Sequence, residues 1–249
     1  MRIVWLSANR LGYETLKEAV KIKDADIVGI ITLSSDFNTK MYDGIPTKEW
    51  SRFGTKVYEI SKINQERKLL AEIAPDIIIM CGWRQIIDKS ILRIPKKSVI
   101  GFHPTLLPKG RGPAPIINSI LNGFVTSGVT MFYVDEGLDN GDIIGQVRFK
   151  IEKNDHASDV YNKVITSGKE LIRDYLPKII KECAPRIKQD ESKATVFKKP
   201  LLSSNEINPE TDSIEEISKK IKALSRPYEG AYIRKNGKRL IIWEAELIE

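Results

Sequence analysis

The sequence predicts an α/β fold: a Rossmann-like, mostly parallel sheet flanked by helices, with a short C-terminal helix-plus-hairpin appendage. Three observations predict it. Short apolar runs alternate with segments of helical period through the first half of the chain, the pattern of successive strand–helix–strand units. "DIIIMCG" is apolar at consecutive positions, as a central strand covered on both faces must be. Asn236-Gly237 interrupts an apolar–polar alternation near the C-terminus, the signature of a tight hairpin turn.

The elements follow in order. "RIVWLSA" reads as a buried strand, "GYETLKEAVKI" as an amphipathic helix and "ADIVGIITL" as the next strand. "TKVYEI" is a third strand, and "NQERKLLAEIA" a helix stopped by Pro75, which cannot continue it. "DIIIMCG" and "KSVIGFH" are the fourth and fifth strands, the latter delivering His103 at its carboxyl end, where open parallel sheets bind ligands. "PAPIINSILNG" carries proline at its start and glycine at its stop, as a helix does. "SGVTMFYVD" and "DIIGQVRFKI" are two further strands joined by "EGLDNG", and a long helix begins at His156. From Cys183 to Asp212 the chain turns polar and irregular, like a linker, before the helix "IEEISKKIKALS" and the hairpin "AYIRKNGKRLIIWEAEL". The expected division is a catalytic domain over residues 1–190, then a linker and small C-terminal subdomain over residues 191–249.

The net charge is +7, but acids and bases are interleaved, and the stretch from Leu201 onward holds no basic excess. That argues against a nucleic-acid partner and suits small anionic ligands. Cys81 and Cys183 form neither a cross-linked framework nor a metal spacing, and two distant histidines supply no metal cluster, so no metal is expected. The N-terminus enters a strand without a leader pattern and the longest apolar run is too short to span a bilayer. A reduced, cytoplasmic protein is expected. The patterns GxGxxG, GxxxxGK[ST] and GxSxG, which mark dinucleotide, P-loop and serine-hydrolase sites, are absent from the sequence.

The stretch "HPTLLPKGRGPAP", followed by "SGVTMFYVDEGLDNGDIIGQ", resembles the folate-dependent formyltransferases. These move a formyl group from 10-formyltetrahydrofolate onto an amine. The family motif, Asn-x-His-x-Ser-Leu-Leu-Pro with a later Arg-Gly, is similar to residues 101–112, and its Asp-x-Gly to Asp139-Asn140-Gly141. The terminal "SRPYEGAYIRKNGKRLIIWEA" is similar to the carboxy-terminal piece of methionyl-tRNA and sugar-nucleotide formyltransferases. The resemblance implies His103 as oxyanion donor and proton shuttle, with Asp139 as its orienter and the base for the amine. An amine attacking a formyl carbon builds an oxyanion and a cationic nitrogen, so the chemistry needs one donor and one base. Gly101 stands where the family has a catalytic asparagine, a donor whose loss typically costs about 2.7–4 kcal/mol. Asn140 or Asn118 could supply the amide from elsewhere, a backbone N–H or a water could replace it, or the chain could be slow, altered toward hydrolysis or silent.

The resemblance further implies that backbone groups of Cys81, Gly82, Trp83 and Arg84 hold the pterin edge, with Asp139 beside it and Ile86 and Leu107 as apolar walls. Cys81, among apolar neighbours, reads as inert. Lys109 and Arg111 would face the glutamates of the folate. For the acceptor, the short tail favours a nucleotide-linked amino sugar, with Asn9, Arg10, Tyr42 and Lys198 as candidate contacts. The alternatives are a methionyl-tRNA formyltransferase and a catalytically silent folate- or nucleotide-binding homologue. "LIIWEAEL" leaves an apolar edge that a homodimer contact would cover.

Overall fold

The computed structural model describes residues 1–34, 42–199 and 205–248. One sheet contains β1 (Arg2–Leu6), β2 (Asp26–Leu33), β3 (Val57–Ile60), β4 (Ile77–Met80), β5 (Ser98–His103), β6 (Thr126–Tyr133) and β7 (Ile143–Lys150). Their order is β3-β2-β1-β4-β5-β6-β7. The first five pair in parallel, whereas β6 and β7 run antiparallel. The chain runs outward from β1 to β3, then returns to lay β4 against the other side of β1. Ligands bind at the strand carboxyl ends beside such a reversal.

The helices are α1 (Arg10–Ala19), α2 (Thr47–Trp50), α3 (Arg67–Ile73), α4 (Lys89–Leu92), α5 (Pro115–Leu121), α6 (Ala157–Ile180) and α7 (Ile214–Leu224). A hairpin of β8 (Ala231–Lys235) and β9 (Lys238–Ile242) follows. Helix α1 starts at Arg10 rather than at the expected Gly12, because the Asn9 side-chain oxygen accepts the Gly12 N–H and caps it. The helix expected from Asn64 begins only at Arg67, after a 3-10 turn over Ile63–Gln65. Helices α2 and α4 are single turns, too short to write a period into the sequence.

Strand alternation divides the core between the two sheet faces. Ile3, Trp5, Ile100 and Phe102 join α1, α5 and α6 on one face. Val4, Leu6 and Val99 join α3 and α4 on the other. Gly101 and His103 share the parity of Val99, so they face the α3/α4 side. Helix α7 is closed by a reciprocal Ser213–Glu216 capping box. It buries Ile221, Ala223 and Leu224 in the same core as α1 and α6, so the appendage builds no separate core.

The stretch expected to be a linker does more than connect. Ile187 exchanges backbone hydrogen bonds with Ile143 at the start of β7, and residues 195–197 pair with residues 108–111. Residues 200–204 of that stretch lie outside the described residues. No helix among the described residues is long and apolar enough to cross a membrane.

Candidate active site

His103 ends β5 with only 6% of its surface exposed. Its Nε2 lies 2.7 Å from the Gly110 carbonyl oxygen, and its Nδ1 lies 3.5 Å from Asp139 Oδ2. Both neighbours are acceptors, so an N–H on either ring nitrogen finds a partner. The first is a formed hydrogen bond; the second is an ion-pair separation, longer than a hydrogen bond of good geometry.

The loop after β5 is shaped by buried polar contacts. Thr130 donates its hydroxyl to the Thr105 carbonyl and accepts the Leu107 N–H, while Gln146 donates to Thr130 Oγ1 and to the Leu107 carbonyl. The glycine at 110 has φ +72°, and a Cβ there would stand 2.6 Å from the Phe197 ring. A side chain would therefore push away both the backbone and the ring that covers it. Asp139 Oδ2 accepts the Gly112 N–H at 2.8 Å, and the Asp139 carbonyl accepts from Gln189 Nε2. The carboxylate is thus aimed by the loop that carries the histidine's other partner.

Arg111, expected to face a polyanionic ligand, is buried instead. Its guanidinium donates to both Glu191 oxygens, at 2.9 and 2.6 Å, and to Gln189 Oε1. Thr195 Oγ1 accepts the Gly110 N–H, and the Arg111 backbone pairs with Thr195 and Phe197. Residues 187–197 form a strap over the loop that follows β5. Lys109 remains exposed.

A Cβ at Gly101 would meet the Phe132 ring at 2.8 Å and Val134 at 2.9 Å. The volume that an asparagine side chain would need is occupied by apolar groups. Asn118 does not take over: its amide donates to the carbonyls of Pro113, Ala114 and Lys198, which makes it a brace for α5. Asn118, expected as a relocated catalytic amide, is thus engaged within the fold, and the bond to residue 198 gives Lys198 a backbone role while its side chain is exposed. Asn140 differs. Its Oδ1 is buried without a hydrogen-bond partner among the described residues, and its amide packs against Gly137.

Beyond β4 lie the residues expected at the pterin edge. The Cys81 N–H donates to the Leu6 carbonyl, and its thiol accepts from Thr15 Oγ1 on α1, so these two groups tie β1 and α1 to the end of β4. Ile86 is 85% exposed, whereas Leu107 is buried against Phe132 and Ile143. Arg84 donates to Asp43 Oδ1 at 2.6 Å. Gly82 lies against the Asn9 side-chain amide. Trp83 packs on the α3/α4 core, yet its indole Nε1 is buried with no partner among the described residues. An orphaned buried donor at a strand's carboxyl end fits a ligand that brings an acceptor.

Burial pushes the Cys81 thiol up to about 12, while Cys183 is exposed. The native protein should therefore release one equivalent of chromophore from a disulfide thiol reagent within minutes, and the second only in denaturant. Two fast equivalents would show that Cys81 is open.

A second polar cluster was not legible in the sequence. Buried Asp43 accepts from Asn9 Nδ2 at 3.0 Å, Arg84 at 2.6 Å and the Tyr161 hydroxyl at 2.8 Å. Asn9, expected to touch substrate, is committed to this cluster and to the α1 cap. Beside it lies a cavity of about 280 Å³ lined by Arg10, Tyr42, Asp43, Ser158, Tyr161 and Arg226 among others. Arg10 and Tyr42 thus meet at one cavity. Among the described residues no group of three or more His, Cys, Asp or Glu gathers to hold a metal ion.

Residues 1–176 match the family model described as Formyl transferase. The chain is 35% identical to a methionyl-tRNA formyltransferase of Halothermothrix orenii over 204 residues, 81% of this chain but 64% of that protein, less than two thirds of its length. A methionyl-tRNA formyltransferase of Bacillus velezensis is 31% identical over 99% of this chain and 78% of its own. Among solved structures, a sugar N-formyltransferase from a Shewanella species superposes with TM-score 0.78 at 20% identity, covering 100% of this chain and 99% of that one. At that identity the likeness speaks for the fold.

Proposed function

Because the chain belongs to the formyl transferase family, we propose that it moves a formyl group from 10-formyltetrahydrofolate to the amino group of a nucleotide-linked amino sugar. The observation that carries the transfer chemistry is His103 set between the Gly110 carbonyl and the Asp139 carboxylate at the sheet's carboxyl rim. The folate supplies the formyl carbon. Trp83 Nε1, a buried donor without a partner among the described residues, belongs to the same reading as a group that turns to the folate when it binds.

The two contacts of His103 divide its work. Nε2–H is pinned on Gly110 at 2.7 Å, whereas the Nδ1 side, at 3.5 Å from Asp139, is the one open to exchange. When the ring carries both protons, Nδ1–H donates to the formyl oxygen as negative charge develops there. Asp139, 24% exposed at its side chain, takes the proton that the attacking nitrogen sheds, directly or through water, and returns it to the folate nitrogen as the tetrahedral adduct collapses and the carbon–nitrogen bond to the donor breaks. With Gly101 backed by Phe132 and Val134, Asn140 is the side-chain amide left to assist. An Asn140→Ala variant should lose activity by roughly 10²-fold, and Asn118→Ala should lose little.

The acceptor reading is supported by the interleaved charges of the chain and by solved structures of the same fold named as sugar N-formyltransferases. A homodimer contact at the terminal hairpin belongs to the same reading, since Leu240 stays two-thirds exposed there. Incubation with 10-formyltetrahydrofolate and a panel of nucleotide-linked amino sugars should yield one formylated product by mass spectrometry. Formylation of methionyl-tRNA instead, with a steep dependence of binding on salt, would favour the second reading, which the curated relatives support by name.

A further inference from the structure

The cavity beside α1 has a charge pattern that the catalytic residues do not explain. The backbone donors of the first turn of α1 are already engaged: Arg10 N–H by the Asp43 carbonyl, Leu11 N–H by the Tyr161 hydroxyl and Gly12 N–H by Asn9 Oδ1. Asp43 itself is matched by Arg84 at 2.6 Å. The internal carboxylate thus sits where a helix start would otherwise attract an anion, and its charge is balanced from below. Two guanidinium groups remain on the cavity wall, Arg10 from α1 and Arg226 from the turn before the terminal hairpin. Neither forms an ion pair among the described residues; Arg226 lies over the Trp243 ring at 4.6 Å.

Two unmatched guanidinium groups on one concave surface raise the local concentration of anions, and their planar forks suit phosphate oxygens. The cavity, about 280 Å³, is near the lower end of ligand sites, so it takes part of a ligand rather than all of it. The carboxyl ends of β1, which leads into Arg10, and β5, which carries His103, are separated by β4 alone. Both strand ends lie on one rim of the sheet, where ligands of such folds bind. We propose that Arg10 and Arg226 grip the diphosphate of a nucleoside-diphosphate-linked acceptor, so that the C-terminal appendage completes the substrate site. The proposal rests on the sugar-nucleotide reading above.

The test titrates uridine diphosphate, thymidine diphosphate and inorganic pyrophosphate into the full chain by calorimetry. The wild type should bind at least one nucleoside diphosphate. Arg10→Ala and Arg226→Ala should each weaken that binding roughly tenfold, about 1.4 kcal/mol, with the KM for 10-formyltetrahydrofolate unchanged. Arg226→Lys, which keeps the charge, should lie between, and separates loss of the anion contact from loss of packing on Trp243. Wild-type affinity in both alanine variants, or no binding of any of the three probes by the wild type, overturns the site. Product formed with wild-type KM for the amino sugar in both variants sinks the site and leaves the transfer reaction standing. Weakened diphosphate binding without formylation of any amino sugar keeps the site and sinks the acceptor reading.

Discussion

Replacing His103 with glutamine is expected to lower kcat for formyl transfer by roughly 10³-fold while leaving folate binding nearly unchanged. A positioned acid–base group contributes roughly 10²–10⁴-fold, and each factor of ten is about 1.4 kcal/mol of barrier. Glutamine keeps an amide that can donate to the Gly110 carbonyl, so the loop retains that anchor. What is lost is the second N–H, the one 3.5 Å from Asp139. Asp139→Asn should be slow for a different reason: the amide can still accept the Gly112 N–H but cannot take the proton from the amine. Its activity should therefore climb as pH rises and the free amine becomes abundant, whereas His103→Gln should stay slow across the range. A glutamine variant within tenfold of wild-type kcat would mean that the imidazole does not face the reacting oxygen. Parallel pH profiles for the two variants would mean that their roles are not divided as described.

The strands and the long helix were legible because their periods are local. "DIIIMCG" announces β4, and "KSVIGFH" delivers His103 to the rim where β5 ends. The motif around His103 and Asp139 could also be read, since each lies in a short run of unusual composition. What escaped depends on distant partners. Arg111 in "KGRGP" looks like a solvated loop cation until Glu191 and Gln189 close on it. The strap over residues 187–197 has no period of its own, because it borrows backbone partners from Ile143 and Arg111. Gly101 looked like a missing catalytic group. Only the packing shows that Phe132 and Val134 already fill the space beside it. Asp43 in "YDGIP" has the composition of a turn, and Tyr161 falls on the apolar stripe of α6, so nothing local pairs them across 118 positions.

Asp43→Ala is expected to cost about 3 kcal/mol of stability, near the lower end for removing one partner of a buried ion pair. Arg84 keeps a third of its side chain exposed, so water can take up its charge. The Tyr161 hydroxyl and the Asn9 amide have no such recourse, and each buried donor left without an acceptor costs about 1–3 kcal/mol. For a chain of this length the loss should lower Tm by about 6–12 °C. Tyr161→Phe removes only the hydroxyl, and should be milder. Because both changes empty the same hydrogen bond, the double variant should lose less than the sum. Alkaline stability checks the same geometry. Burial first, and then the Asp43 charge, raise the Tyr161 phenol above its ordinary value. The folded protein keeps that proton after the unfolded chain releases it, so stability is present below about pH 10 and is lost as pH rises beyond. Without the Asp43 charge that loss should soften. If Asp43→Ala melts within about 2 °C of wild type and instead raises KM for the acceptor, the carboxylate reads substrate, and the floor of the cavity is a binding surface rather than a brace.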